Sequence, residues 1–277
     1  MIEPTIQQVR DAIESASPLP IKRALQVIYL TCGRAGEVAA YKTPMDKTAH
    51  PTGEALTFRV ENYRPNLRNK QERDSLTANA YMDTTRAPNL AKLAKIKELA
   101  LIFSVLTEKR DYEHNPDGSF KHVWVRECAV PLNPNFEPWA MPCLEYIRSQ
   151  PKGRPLFPFN RHHLWKVAKE IFKDFSYTIQ PYKRAYKIDG KYQYDAPDEN
   201  GKKTLKTELQ AERQHPAAIH AIRHWRKQEL EDFYGFNDKE LNSFGGWTMT
   251  EGANRAAQRY SKLPWRIYFP KLLAKKE

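Results

Sequence analysis

Pro216-Ala-Ala-Ile-His220-Ala-Ile-Arg223-His224 is the stretch on which the reading of this chain turns. Apolar residues recur at helical spacing from about Pro216 to Phe233. Residues three apart on a helix lie on one face, so His220 points the same way as Arg223. Such a pair suits an anionic oxygen that exchanges a proton with its surroundings. By itself it is equally what a solvated or core-edge helix face offers. Histidines four apart, His220 and His224, can share a zinc ion, but the glutamate of H-E-x-x-H is missing and no third ligand is suggested.

Working outward, Ile21, Leu25 and Ile28 share a face with Ala24 beside them, and Gly33 stands where that helix would end. This predicts a helix from about 20 to 31. Arg34-Ala-Gly-Glu37-Val-Ala-Ala-Tyr41 begins a second, short helix, which puts Arg34 at a helix junction where a charged side chain can point into a cleft. Ala55 to Glu61, Leu99 to Leu106 and His122 to Leu132 read as strands. Asn115-Pro-Asp-Gly118 between the last two is turn chemistry, giving a β-hairpin with an extended loop. The polar, basic segment 63–97 reads as an insertion, with a short helix at Leu90 to Leu99. Pro138 to Ile147 and His162 to Phe172 have the spacing of core helices. Tyr177 to Gln214 turns Tyr- and Lys-rich, with a surface loop after Asp195, and a last helix is expected from Gly252 to Tyr260. Helices outnumber strands in this reading, and neither internal repeats nor low-complexity tracts are evident. The expected fold is mainly α with a small antiparallel β-sheet, an α+β class.

The chain has 277 residues, 40% of them hydrophobic, enough to bury a core. With 45 Lys and Arg against 33 Asp and Glu the formal charge is +12, and the pI is about 9.5. Such a balance attracts polyanions: nucleic acid first, an anionic membrane second. The membrane reading weakens because no apolar run approaches the ~20 residues that span a bilayer, and the N-terminus lacks the order of a signal peptide. A soluble, intracellular protein, cytoplasmic or nucleoid-associated, is expected. Cys32, Cys128 and Cys143 are scattered, with neither zinc nor disulfide spacing. No G-x-x-x-x-G-K-[ST] or G-x-G-x-x-G loop appears, so any reaction should run without ATP.

Two further motifs stand beside the first: Leu30-Thr-Cys-Gly-Arg34-Ala-Gly-Glu37, and Phe244-Gly-Gly-Trp247 followed by Arg259-Tyr260-Ser-Lys262. Singly they read as a helix C-cap, a turn with a core tryptophan and a surface tyrosine. Their order is more telling: Arg-x-x-Glu early, a Lys-bearing hairpin, His-x-x-Arg late, then Gly-Trp, then a tyrosine near the C-terminus. That order resembles the catalytic domain of the tyrosine recombinases, the phage-type integrases, from Pro20 to Lys262. Val130-Pro-Leu132 is similar to the segment that closes the family's hairpin strand. The resemblance implies that Arg34 and Arg223 are the active-site arginines, supported by Glu37. It makes His220 the histidine of the pair, Trp247 the His/Trp position and Tyr260 the nucleophile. The hairpin lysine is Lys109, with Lys121 as competitor, and Tyr268 is the fallback nucleophile because the interval from Trp247 to Tyr260 is a few residues longer than the family's.

The implied reaction is metal-free cleavage and rejoining of double-stranded DNA through a 3′-phosphotyrosyl intermediate. Two guanidinium forks suit the nonbridging oxygens of a pentacoordinate phosphorus, and Trp247 adds an uncharged N–H donor. Tyr260, with a reference pKa of about 10, needs neighbouring cations and a proton acceptor such as His220, and Lys109 protonates the departing 5′ oxygen. Arg161, Lys166, Lys152 and Arg154, with Lys183, Arg184, Lys187 and Lys191 interleaved with Tyr182, Tyr186, Tyr192 and Tyr194, could follow the DNA backbone; a solvated basic loop is the plainer alternative. The organisation expected is a lead-in over 1–19, a catalytic domain over 20–262 with insertions near 63–97 and 177–214, and a tail over 263–277. That tail is apolar enough either to pack on its own domain or to dock on a neighbouring protomer, giving self-association on DNA from dimer to tetramer. The family usually has a helical core-binding domain ahead of the catalytic one, and only about twenty residues precede the first helix here, so a fragment is one expectation. Competing readings are a noncatalytic DNA-binding relative, a type IB topoisomerase-like relaxer and an RNA-binding module, the last lacking an RNP or GXXG signature.

Overall fold

The helix expected over 20–31 is Leu19–Thr31 (α2), and it forms the centre of the core. From Ala24 to Cys32 every one of its side chains is buried, because it is enclosed by helices on several sides. It ends at Cys32, which takes the left-handed conformation at φ 49, while the Gly33 N–H returns to the Ile28 carbonyl at 2.9 Å. Gly33 is needed for space: a Cβ there would meet Thr31 Oγ1 at 2.8 Å. The short helix α3, Ala35–Val38, follows with Arg34 as its N-cap residue. This computed structural model describes residues 1–39, 56–63, 98–106, 125–151, 156–157, 159–179, 181–199, 201, 203–246 and 263–274. The loop of the expected hairpin, most of the segment 63–97 and the helix expected at Gly252 to Tyr260 lie outside them; Leu99, where the expected short helix and the expected strand met, opens the strand.

Three strands, β1 (Leu56–Asn62), β2 (Leu99–Leu106) and β3 (Val125–Pro131), make one antiparallel sheet in the order β1-β2-β3, with Phe58 opposite Phe103 and Phe103 opposite Cys128. β2 is central, and its residues from Leu99 to Phe103 are buried without interruption, which is why its sequence is a continuous apolar run. Helices α4 (Ala140–Ser149), α5 (Arg161–Ile171), α6 (Ile219–Asp232), α7 (Asp238–Gly245) and α8 (Trp265–Leu272) complete the core. Against the expectation that helices outnumber strands, the described residues hold eight helices and nine strands. The additional strands come from the segment read as a Tyr- and Lys-rich loop. It folds into antiparallel pieces: β4 (Ser176–Ile179) with β9 (Arg213–Pro216), β5 (Tyr182–Ala185) with β8 (Thr207–Gln210), and β6 (Lys187–Ile188) with β7 (Lys191–Tyr192).

The lead-in over 1–19 contains a helix, α1 (Ile6–Glu14), started by a capping box between Thr5 and Gln8. It is held from inside. Arg10 donates to both oxygens of Glu137 at 3.0 and 3.2 Å and to Glu229 at 3.1 Å, and its guanidinium lies over the rings of Tyr29 and Trp139. Arg226 pairs with Glu229 and, at 3.4 Å, with Glu137, while the Tyr29 hydroxyl donates to Glu229 at 2.9 Å. Two arginines and two glutamates thus close a buried, charge-balanced quartet joining α1, α2, α6 and the turn before α4.

The apolar tail forms α8, with Trp265, Tyr268, Phe269 and Leu272 buried against β3 and α7. The Tyr268 hydroxyl donates to the Glu127 carbonyl at 2.9 Å and accepts from the Ala129 N–H at 3.2 Å. Among the described residues, no helix is long and apolar enough to cross a membrane.

Candidate functional site

The site grows from the α2–α3 junction. Because α2 stops at Cys32 and α3 starts at Ala35, Arg34 sits at the turn in extended conformation, its side chain partly open to solvent. Glu37, one turn later and fully buried, bends back to it: one carboxylate oxygen accepts from Arg34 Nη1 at 2.8 Å, the other from the Arg34 backbone N–H at 3.0 Å. The R-x-x-E spacing is therefore a local device that orients the arginine from behind.

A residue that carried no sequence motif completes the support. Arg126, on β3 and 2% exposed, donates through Nη2 to Glu37 Oε2 at 2.8 Å. Its Nη1 donates to the Thr31 carbonyl at 2.7 Å, the Phe244 carbonyl at 2.6 Å and Cys128 Sγ at 2.6 Å. One guanidinium thus ties together the end of α2, the glutamate of α3 and the end of α7, the helix that leads toward Trp247. No short-range pattern could reveal this, since its partners are distant in sequence. Burial disfavours its charge, but Cys128 and Glu37 outweigh burial and keep Arg126 protonated.

Helix α6 brings the second arginine. Arg223 is nearly buried and donates to the Cys32 carbonyl at the α2 terminus. The most distant of the sequence motifs therefore meet at one point. Burial, then the positive charges of Arg126 and Arg34, bring the Arg223 pKa down to about 10. Glu37 shows the converse: burial alone would raise its pKa, yet Arg126, Arg34 and Arg223 hold it at about 2. Arg34 and Arg126 thus both pair with Glu37, and Arg223 stands near enough to stabilise its charge, a gathering of positive groups that favours an anion at this place.

His220 opens the same helix on its exposed side, one turn before Arg223. His224 lies against the Tyr177 ring, with centroids 4.7 Å apart, and is held below its ordinary pKa by desolvation, then by His220, Arg223 and Lys227. Among the described residues, no group of three His, Cys, Asp or Glu side chains could hold a metal ion.

The structure therefore brings Arg34, Glu37 and Arg223 to one junction, while His220 stands exposed one turn before Arg223. Trp247, Tyr260, Lys109 and Lys121 lie outside the described residues. Gly246 caps α7 in the left-handed conformation at φ 68, and Leu263 N–H donates to Ser243 Oγ at 2.7 Å, so the chain leaves and rejoins the same helix on either side of residues 247–262. Tyr268 is fully buried with its hydroxyl engaged twice, and burial, then Cys128, push its pKa well above the ordinary value. This is the setting of a packing residue and a poor one for a nucleophile. Comparison of the chain with family models, with curated proteins and with solved structures finds no match.

Proposed function

We propose that this chain is the catalytic part of a tyrosine recombinase, cleaving and rejoining DNA strands through a 3′-phosphotyrosyl bond to Tyr260. The observation that carries this reading is the meeting of Arg34, backed by Glu37, with Arg223 of the His-x-x-Arg helix at the end of α2. Two arginines brought together beside a buried carboxylate are suited to a phosphate whose oxygens gain charge in the transition state. Arg34 would hold one nonbridging oxygen and Arg223 another, the buried Glu37 keeping the first fork in plane. His220, on the exposed side of α6, would exchange the phenolic proton of Tyr260. Trp247 would donate its indole N–H to phosphate, and Lys109 would protonate the leaving 5′ oxygen. Double-stranded DNA is the partner, with assembly of several copies on it, and energy conserved in the tyrosyl ester makes ATP unnecessary.

The test uses nicked duplexes drawn from the DNA flanking the gene, incubated with the protein and with Tyr260→Phe. An SDS-resistant protein–DNA adduct that disappears in the variant is expected. An adduct in both would move the nucleophile elsewhere, and salt-sensitive binding without any adduct would make the chain a noncatalytic DNA binder.

A further inference from the structure

The segment between α5 and α6 is a limb with a use of its own. β4 pairs with β9 from Ser176 opposite Pro216 to Ile179 opposite Arg213. β5 pairs with β8 from Tyr182 opposite Gln210 to Ala185 opposite Thr207. The two ladders keep one register, and the Tyr186 N–H continues it to the Lys206 carbonyl at 2.8 Å. Each ladder has four pairs, roughly 13 Å of paired strand. Its far end divides into two small turns, one at Asp189-Gly190 with both residues at positive φ, the other returning through the Tyr194–Leu205 bridge.

Among the limb's described side chains, only those at the root are buried. Ser176 and Tyr177 pack on the body, whereas Tyr192 and Tyr194 are each 52% exposed and Leu209 is 72% exposed, with Tyr186, Ile188 and Leu205 open as well. A narrow two-stranded element that leaves so many large side chains in water is built to be covered. Charge indicates by what. Between Tyr182 and Tyr194 stand Lys183, Arg184, Lys187 and Lys191 against Asp189 alone, whereas from Asp195 to Arg213 the acids Asp195, Asp198, Glu199, Glu208 and Glu212 are nearly matched by Lys202, Lys203, Lys206 and Arg213. Lys187 Nζ rests over the Tyr192 ring at 4.2 Å, Lys206 lies 3.9 Å from Asp195 and Arg184 stands opposite Glu208 in the ladder, while the sequence from Tyr182 to Tyr194 keeps a surplus of positive charge. The limb joins α6 through Ala217 and Ala218, directly before His220 and Arg223.

We infer that this limb enters the major groove of the duplex held at the site, its basic, Tyr-bearing outward strand facing the DNA. The major groove admits a two-stranded β-ribbon of this kind. The choice of duplex DNA as partner rests on the strand-transfer reading; the experiment measures binding without cleavage, so the two stand or fall separately.

Anisotropy with an intact mixed-sequence duplex of about four helical turns compares the native chain with two variants. One carries Lys183→Gln, Arg184→Gln, Lys187→Gln and Lys191→Gln. In the other Asn-Gly replaces residues 186–206, closing the Ala185–Thr207 pair with a two-residue turn. Both are expected to bind at least tenfold more weakly with an unchanged melting temperature. In the first, the slope of log affinity against log salt should be shallower by roughly 2–3, since each phosphate contact contributes about 0.9. Methyl green, which fills the major groove, should compete with the native chain and much less with the shortened one. Unchanged affinity and slope in both variants would overturn the inference, even if Tyr260 forms its adduct. Weaker binding that comes with loss of self-association in the absence of DNA, read by sedimentation, would also overturn it, making the limb a protein contact. If the limb variants lose affinity while no adduct forms, the limb stands and the chemistry falls.

Discussion

Glu37 is a residue on which the charge of the candidate site turns, because it pairs with Arg34 and Arg126 and is held as a carboxylate by Arg223 as well. Its carboxyl is held at about 2 against an ordinary 4.5. A depressed carboxylate stabilises the fold above its unfolded pKa, and that contribution fades as pH falls through the folded value. Between about pH 5 and about pH 2, urea unfolding should therefore lose on the order of 3 kcal/mol that traces to this residue. Glu37→Gln should be less stable at neutral pH and show a correspondingly flatter acid limb; an acid limb as steep as the native one would place the titrating group elsewhere.

At the scale of elements, α7 sets the far side of the site by offering the Phe244 carbonyl to Arg126. It begins with a reciprocal cap: Asn237 accepts from the Glu240 N–H at 3.0 Å, and Glu240 accepts from the Asn237 N–H at 2.8 Å and from Lys271 of α8 at 2.6 Å. Asn237→Ala should cost about 1 kcal/mol in chemical denaturation; a shift below a few tenths would show that packing alone holds the helix start. The pattern Asn237-x-x-Glu240, like Thr5-x-x-Gln8 before α1, is a capping signature that stood in the sequence, so both unread helices were legible there. Asp189-Gly190 likewise announces the tight turn of the limb. Strand β2 was legible because a buried strand writes itself as a nearly continuous apolar run. The role of Arg126 was not, since nothing near it in the chain distinguishes it from any basic residue on a strand. Of the candidate site, the Arg34–Glu37 pair could be read from local spacing, whereas the approach of Arg223 to Cys32 needed the packing of α6 on α2.

For the whole molecule, the quartet of Arg10, Arg226, Glu137 and Glu229 makes the first helix part of the body. Loss of Arg10 would leave two buried carboxylates to share one guanidinium. Arg10→Met should destabilise the protein by roughly 3–5 kcal/mol in a urea titration, and an unchanged midpoint would show that α1 is not energetically coupled to α6. The N-terminus reaches further still: Ile2 bridges Phe175, its N–H donating to the Asp174 carbonyl at 2.9 Å and its carbonyl accepting from Ser176 at 2.8 Å, which braces the root of the limb. On the other side of that root the Ala217 N–H donates to the Phe175 carbonyl at 3.0 Å. Mechanically, the limb is a lever with its fulcrum at Phe175. Its long arm is all that lies outward of Ser176, and its short arm is the pair of alanines before α6. A sideways load on the tip meets first the stack of Tyr177 on His224 and next the helix that carries Arg223.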